Sequence, residues 1–347
     1  MGQIDNLALI NACPKPVSRM LLSDILLFAF ALCLLIQLLF IWVAFSKAAF
    51  ASPQRKAEDS GLPPVSVLVA ARNEYENLQK LVPALLGLDY PEYEVVVIDD
   101  RSWDESYDCL LEMAQRHEKL RIVRVNSTPE HITGKKYALT LGIKAAQYET
   151  LLFTDADCLP LSKDWIQYMT APYQEGEHVQ LVLGFSPYAK YPGLLNLFIR
   201  FETFYVGAQY LSMALWGKPF MGVGRNISYK KSLFFQNKGF SRHQSVTGGD
   251  DDLFVNEVST AENTRVVWQR EGQVISEPKR TLRGWYRQKT RHLSVGQHYR
   301  RRNKVLLGLL GGSYAGFYLL ALLLLIIEPH WIPLAGYGVR LLSILIV

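Results

Sequence analysis

Four short runs dominated by aliphatic side chains, VSVLVAA, YEVVVIDD, LRIVRV and ETLLFTDAD, recur along residues 65–157. Between them lie NEYENLQKLVPALLGL, DESYDCLLEMAQRH and GKKYALTLGIKAAQ, which carry helical periodicity, the first with Pro83 inside it and the last opened by Gly134. Strands apolar on both faces belong to sheets covered on both sides, and strands alternating with helices pair in parallel through right-handed crossovers. The pattern predicts an α/β domain built on a Rossmann-like, mostly parallel sheet. In such sheets ligands bind beyond the carboxyl ends of the strands. Three of the four runs end there in polar clusters: ARNE (Arg72–Glu74), DDRS (Asp99–Ser102) and DAD (Asp155–Asp157).

The chain has 347 residues and is 49% hydrophobic, and the excess is concentrated in runs. Residues 25–45 and 305–327 are each about the ~20 residues that a helix needs to cross a bilayer. The first begins late and is long for a cleaved leader. A third run, 331–347, contains Arg340 and is expected to begin a further, incomplete crossing or to lie in the interface, with Arg340 either functional or snorkelling. The expected organisation is a tail (1–20), a transmembrane helix (21–45), a linker (46–64), a catalytic domain (65–304), a second transmembrane helix (305–327) and the segment 331–347. Segments 191–216 and 280–300 are candidate interfacial helices, the first weighed against an ordinary core helix.

Net charge is +5, yet residues 279–304 hold ten Lys/Arg and no acid, leaving the rest at −5. That is a mildly acidic body with one basic belt beside an apolar run, not a nucleic-acid-binding composition. The positive-inside rule places the belt, and with it the body, in the cytoplasm of a multi-pass protein of the cell (inner) membrane. Lys47, Arg55 and Lys56 agree, while Lys15 and Arg19 oppose. Cys13, Cys33, Cys109 and Cys158 have no ligand spacing and read as reduced thiols.

Asp155 and Asp157, one residue apart at a strand end, point the same way in extended backbone and suit a hard divalent cation shared with substrate phosphates. Asp99 and Asp100 are placed to accept from a nucleobase or a ribose. Ser102 and Asp104 read as caps of the following helix. Gly134 with Lys135 and Lys136 offers a helix N-terminus and ammonium groups to a phosphate, or else two surface lysines. G-x-x-x-x-G-K-[ST] and G-x-G-x-x-G are both absent, which disfavours a P-loop enzyme and a hydride-transfer enzyme. VTGGDDDLFV sets Asp250, Asp251 and Asp252 side by side, open as a solvated turn, a metal site or a proton acceptor.

In this order and spacing the motifs resemble glycosyltransferase family 2, from about residue 65 to residue 291. SVLVAARNE is similar to the family's opening strand, VIDDRSWD to its Asp-Asp-x-Ser turn, GKKYAL to its Gly-Lys segment and TDAD to its D-x-D. The resemblance implies a GT-A fold with helices on both faces of the sheet. It also implies Ala70, Arg72, Glu74, Asp99, Asp100, Lys135 and Asp155 at the nucleotide sugar, and Asp155 and Asp157 at Mg²⁺ or Mn²⁺. GGDDDL aligns Asp250 with the family's catalytic base, leaves Asp251 as the other candidate, and puts Gly249 where Glu is common. QKTRH resembles Q-x-x-R-W and carries over Gln288 and Arg291, with His292 in place of Trp. The implied activity is membrane-bound inverting transfer from a UDP- or GDP-sugar to a lipid-linked, glycolipid or polysaccharide acceptor. A processive synthase and a non-catalytic nucleotide-sugar-binding subunit are the alternatives; the oligomeric state stays open.

Overall fold

The computed structural model describes residues 17–58, 61–327 and 331–347; residues 1–16 of the expected tail, with Cys13 and Lys15, lie outside it. The chain forms two compact units, residues 44–304 and a second made of the two terminal segments.

In chain order, helix α1 (Val17–Leu39) continues through a π-helical stretch into α2 (Ser46–Ala49). There follow β1 (Val65–Ala71), α3 (Tyr75–Leu86), β2 (Tyr93–Asp100), α4 (Ser106–Ala114), β3 (Leu120–Val125), α5 (Gly134–Ala145), β4 (Thr150–Asp155) and β5 (Cys158–Pro160). Next come α6 (Trp165–Thr170), β6 (Leu181–Gly184), α7 (Leu194–Leu215), β7 (Ile227–Lys230), α8 (Lys231–Gln236), α9 (Asp252–Val258), β8 (Thr264–Val267) and β9 (Val274–Ser276). Helices α10 (Leu282–Val295), α11 (Arg301–Ile327) and α12 (Trp331–Ile346) close the chain.

Seven strands order as β3-β2-β1-β4-β7-β6-β8. All neighbours run parallel except those of β7, which is antiparallel to β4 and β6. The mostly parallel sheet is therefore as expected, with one reversed strand that the sequence did not announce. Pleating sends alternate side chains to opposite faces. Val67, Val69, Val95 and Val97 join the core formed with Leu78, Leu81 and Leu85 of α3 and Trp165 and Met169 of α6. On the other face α5 lies so close that a Cβ on Gly142 would stand 2.6 Å from Ile98 and 3.4 Å from Leu68. Helices thus cover both faces. Pro83 sits within α3 without ending it, and the helix closes where Gly87 N–H meets the Pro83 carbonyl at 3.1 Å.

The sheet positions the site through register. Ala71 pairs with Asp99 and Ala70 with Asp155. Strand order reverses at β1, with β2 on one side and β4 on the other, and a crevice for ligands opens at such a switch point. The separate β5–β9 pair, Cys158 against Ser276, brings the chain just before α10 beside Asp157.

Leu21–Ala49 and Arg301–Ile327 are long and apolar enough to cross a membrane. Phe30 stacks on Phe317 with centroids 4.9 Å apart. Arg340 is buried, its guanidinium donating to Gln37 and to Tyr318 Oη (3.2 Å).

Gly142→Ala should destabilise the sheet unit by about 1–3 kcal/mol through overpacking against Ile98. Thermal unfolding of the detergent-solubilised protein checks this, and Ile98→Val added to Gly142→Ala should recover part of the loss.

Candidate active site

The loops after β1 and β2 interlock. Asn73 and Arg101 both adopt left-handed backbone, at φ 56° and 58°. Ser102 Oγ accepts from Asn73 N–H at 3.0 Å and Asn73 Oδ1 accepts from Trp103 N–H at 3.0 Å. Asp104 caps α4 through Ser106 N–H (3.1 Å), as expected, and also takes Tyr75 N–H at the start of α3 (3.4 Å). Ser102 does not cap its own helix; it ties the two strand ends together.

Asp99 and Asp100 diverge because neighbours on a strand face opposite ways. Asp99 shares the face of Ala71 and is fully buried, with no hydrogen-bond partner for either oxygen among the described residues. Asp100 turns to the face of α5, where it pairs with Arg101 Nε at 2.8 Å. Gly134 closes this corner: a Cβ there would lie 2.3 Å from Arg101 and 3.1 Å from Asp100. Ala70 is partly open at the strand end, and Arg72 is exposed beside it.

Asp155 ends β4 and Asp157 follows in the turn, both partly accessible about a buried Ala156. Burial raises the Asp157 pKa, and Asp155 adds to it; Arg225 and Lys279 pull the other way. Glu74, bonded by Asn77 at 2.6 Å, is likewise raised, by burial first and then by Asp157 and Asp155. Three carboxylates therefore share one region. No group of three acidic, His or Cys side chains among the described residues has the arrangement of a complete metal site. An oxygen pair of this kind fits Mg²⁺ or Mn²⁺, which take one or two carboxylates and fill their shell with phosphates and water.

Lys135 joins the two acidic motifs. Its ammonium lies 3.0 Å from Asp155 Oδ1 and 3.2 Å from Asp250 Oδ2. The protein packed around Lys135 opposes its charge, but Asp155, Asp250 and Asp251 outweigh that and hold its pKa well above the usual lysine value. Lys136, one residue on, is neither a surface lysine nor a phosphate ligand in the structure. It is buried and donates to the carbonyls of His243 (2.6 Å) and Val246 (2.8 Å), bracing the segment that leads to the acidic triplet.

The triplet is sorted by its hydrogen bonds. Gly248 and Gly249 take left-handed φ of 83° and 74°, and a Cβ on Gly249 would meet Leu253 at 2.7 Å. A glutamate at 249 is incompatible with this turn. Asp251 caps α9, accepting from Asp252 N–H (2.8 Å) and Gly224 N–H (2.6 Å). Burial works against its charge, yet these bonds and Lys135 bring its pKa down to about 2. Asp252 accepts from Tyr299 Oη at 3.0 Å, and burial and Asp251 push it well up. Asp250 faces Lys135, its side chain only 11% exposed, and is raised chiefly by burial against the pull of that lysine.

Gln288 donates to Tyr188 Oη at 3.2 Å, while Arg291 and His292 lie on the exposed side of α10. The protein around His292, then Lys289 and Arg291, push its pKa down to about 4. Arg225 and Tyr188, which the sequence reading did not single out as site residues, sit in the same region: the guanidinium stands 4.5 Å over the Tyr188 ring. Arg225 lies in the turn GVGRN, residues 222–226, and Tyr188 in no motif of its own.

The chain is 25% identical over 257 residues to the probable glycosyltransferase YdaM of Bacillus subtilis, covering 71% of this chain and 58% of that protein. It is 35% identical over 129 residues to a beta-monoglucosyldiacylglycerol synthase of Nostoc (36% and 27% covered). To a poly-beta-1,6-N-acetyl-D-glucosamine synthase of Staphylococcus epidermidis it is 32% identical over 130 residues (37% and 30% covered). The matched stretches thus span 27% to 58% of these relatives' lengths. In fold it resembles the mannosyltransferase PcManGT of Pyrobaculum calidifontis, solved with GDP-Man and Mn²⁺, at TM-score 0.62 and 20% identity over 93% of this chain and 86% of that one. Residues 66–235 match the Glycosyl transferase family 2 model, which ends short of the acidic triplet; the chain carries a glycosyltransferase family 2 domain.

Proposed function

We propose that the protein is a membrane-anchored inverting glycosyltransferase that takes a sugar from a UDP- or GDP-sugar and passes it to a hydroxyl of a lipid-linked, glycolipid or polysaccharide acceptor at the cytoplasmic face. The observation that carries this reading is Asp250: a nearly buried carboxylate of raised pKa, 3.2 Å from a lysine that also reaches the D-x-D at the sheet's switch point. The relatives named as a glycolipid and a polysaccharide synthase support the acceptor class. The neighbour solved with GDP-Man and Mn²⁺ supports the donor class and the metal.

In the step itself, Asp250 accepts the acceptor hydroxyl's proton as that oxygen bonds to the anomeric carbon. The bond from that carbon to the diphosphate oxygen breaks on the opposite face, and its electron pair leaves with the nucleoside diphosphate. Lys135 offsets charge on the diphosphate. When bound by Asp155 and Asp157, a divalent cation supplies further neutralisation of the leaving group. Asp100, Ala70, Arg72 and Glu74 line the strand ends where the nucleoside would lie, and Gln288 and Arg291 approach from α10.

Exposed apolar side chains support an interfacial role for α7 and α10: Leu194, Leu197, Phe201 and Phe204 on one, Leu282 and Leu293 on the other. The helices are joined by Phe198 edge-on to Trp285 (5.1 Å) and by Lys289 with Glu202 (2.5 Å). With Arg280, Arg283 and Arg287 alongside, this surface suits anionic lipid. Leu194→Ser combined with Phe201→Ser should weaken any stimulation of turnover by anionic vesicles, and unchanged stimulation would remove the interfacial assignment.

Asp250→Asn should lower kcat by about 10²–10⁴-fold, the usual worth of a general base, with donor affinity nearly kept. Asp251→Ala should instead lower thermal stability through the lost cap, by about 0.5–2 kcal/mol. Because burial raises Asp250, activity should fall, as pH drops, with a midpoint above the ordinary ~3.9 of an aspartate. Initial rates against pH check both points; near-normal transfer by Asp250→Asn would sink the base assignment.

Asp157→Ala should abolish stimulation by Mg²⁺ or Mn²⁺ and weaken nucleoside diphosphate binding, measured by calorimetry with and without chelator. Release of nucleoside diphosphate from a screened set of nucleotide sugars separates an enzyme from a silent binding subunit, and product length separates single transfer from a processive synthase.

A further inference from the structure

Arg225 is a half-buried cation with no acidic partner in contact among the described residues. Its guanidinium donates to the Ser186 carbonyl at 3.2 Å and lies over the Tyr188 ring at 4.5 Å, and its Nε has no hydrogen-bond partner among the described residues. A guanidinium offers five donors in a planar fork that matches phosphate oxygens. One left half-exposed, with a donor unused and no carboxylate in contact among the described residues, is poised for an anion from outside the fold.

Its location identifies the anion. Gly224, the preceding residue, donates to Asp251 Oδ2 at 2.6 Å, so the turn runs against the acidic triplet. Tyr188 bridges to Ser276, which pairs with Cys158, the neighbour of Asp157. Arg225 is thus wedged between the triplet and the D-x-D. Its field reaches Asp157, and that of Asp155 reaches it. Lys135 meets Asp155 from α5, so two cations from different elements flank the place where the D-x-D would hold a diphosphate. Gln288 fixes Tyr188 by its 3.2 Å bond to the phenol oxygen.

We propose that Arg225 is a catalytic residue that binds an oxygen of the donor's diphosphate on the leaving-group side, and that Gln288, through Tyr188, is a positioning residue for it. This rests on the glycosyl-transfer reading and adds a cation that the family motifs do not supply. As the bond to the anomeric carbon breaks, charge grows on the diphosphate oxygen that Arg225 faces, so the contact strengthens in the transition state.

The test compares UDP and GDP with UMP and GMP, binding to the detergent-solubilised full chain, alongside steady-state kinetics. Arg225→Gln should weaken binding of the preferred diphosphate about 10-fold or more, leave its monophosphate unchanged and lower kcat by about 10²-fold or more. Arg225→Lys should retain part of both. Equal loss for diphosphate and monophosphate, or a change confined to the acceptor KM, overturns the proposal. Gln288→Leu removes no charge and should lower kcat while the melting temperature holds. A lowered melting temperature with kcat intact makes the Tyr188–Arg225 contact structural only and overturns the positioning role. Wild-type protein that binds UDP or GDP yet turns over no sugar donor would sink glycosyl transfer, while the same affinity ratio still judges Arg225.

Discussion

The Lys135 ammonium solves the main electrostatic problem of this fold. Parallel strands deliver Asp100 and Asp155 to one sheet edge, and a distant turn adds Asp250 and Asp251. Gathered without a counter-charge, carboxylates repel and protonate. Lys135 reaches one member of each motif, at 3.0 and 3.2 Å, and so permits both to stand at one site. It can do so because Gly134, lacking a Cβ, lets the first turn of α5 press against Asp100 and Arg101. The adjacent Lys136 points elsewhere, as the ~100° turn between helical neighbours requires, and holds the loop that presents the triplet. Two neighbouring lysines thus divide the work: one balances the charges and the other fixes where they stand.

Much of the sheet was legible because its signals are local. Valine-rich runs, their spacing and their acidic ends follow from strand chemistry and the crossover rule, and the parallel pairing of β1 to β4 is what they imply. Strand β7 was not legible. Its four residues, ISYK, are too short to show a period, and their reversal is fixed by pairing with β4 and β6.

The site was legible in its motifs and less so in its orientations. Asp99 and Asp100 were grouped as equals, yet strand alternation allows only one of them to face α5. Which one depends on register with β1, a long-range property. Lys136 reads in sequence as a phosphate ligand or a surface lysine, because nothing near it shows that residues 243 and 246 fold over it. The setting of Arg225 is hidden in the sequence for the same reason. Its surroundings, Ser186, Tyr188 and, through Tyr188, Gln288, come from β6's end and α10, so no single window of sequence contains them.

Gly249 shows how a departure from a family pattern can carry structural information. The left-handed φ at Gly248 and Gly249 turns the chain sharply into α9, and Leu253 fills the space that a side chain at 249 would need. That turn is what separates three adjacent carboxylates. Asp251 folds back to cap the helix and receive Gly224, Asp252 goes under it to Tyr299, and Asp250 is left facing Lys135. The three environments drive the pKa values apart, down for Asp251 and up for Asp250 and Asp252. The member that faces the site is thus the one whose ionisation is favoured by the Lys135 ammonium rather than by backbone N–H groups. On the proposed glycosyl-transfer reading, a donor whose phosphates draw Lys135 away would remove the charge that favours ionised Asp250, leaving that carboxylate more basic toward the acceptor hydroxyl.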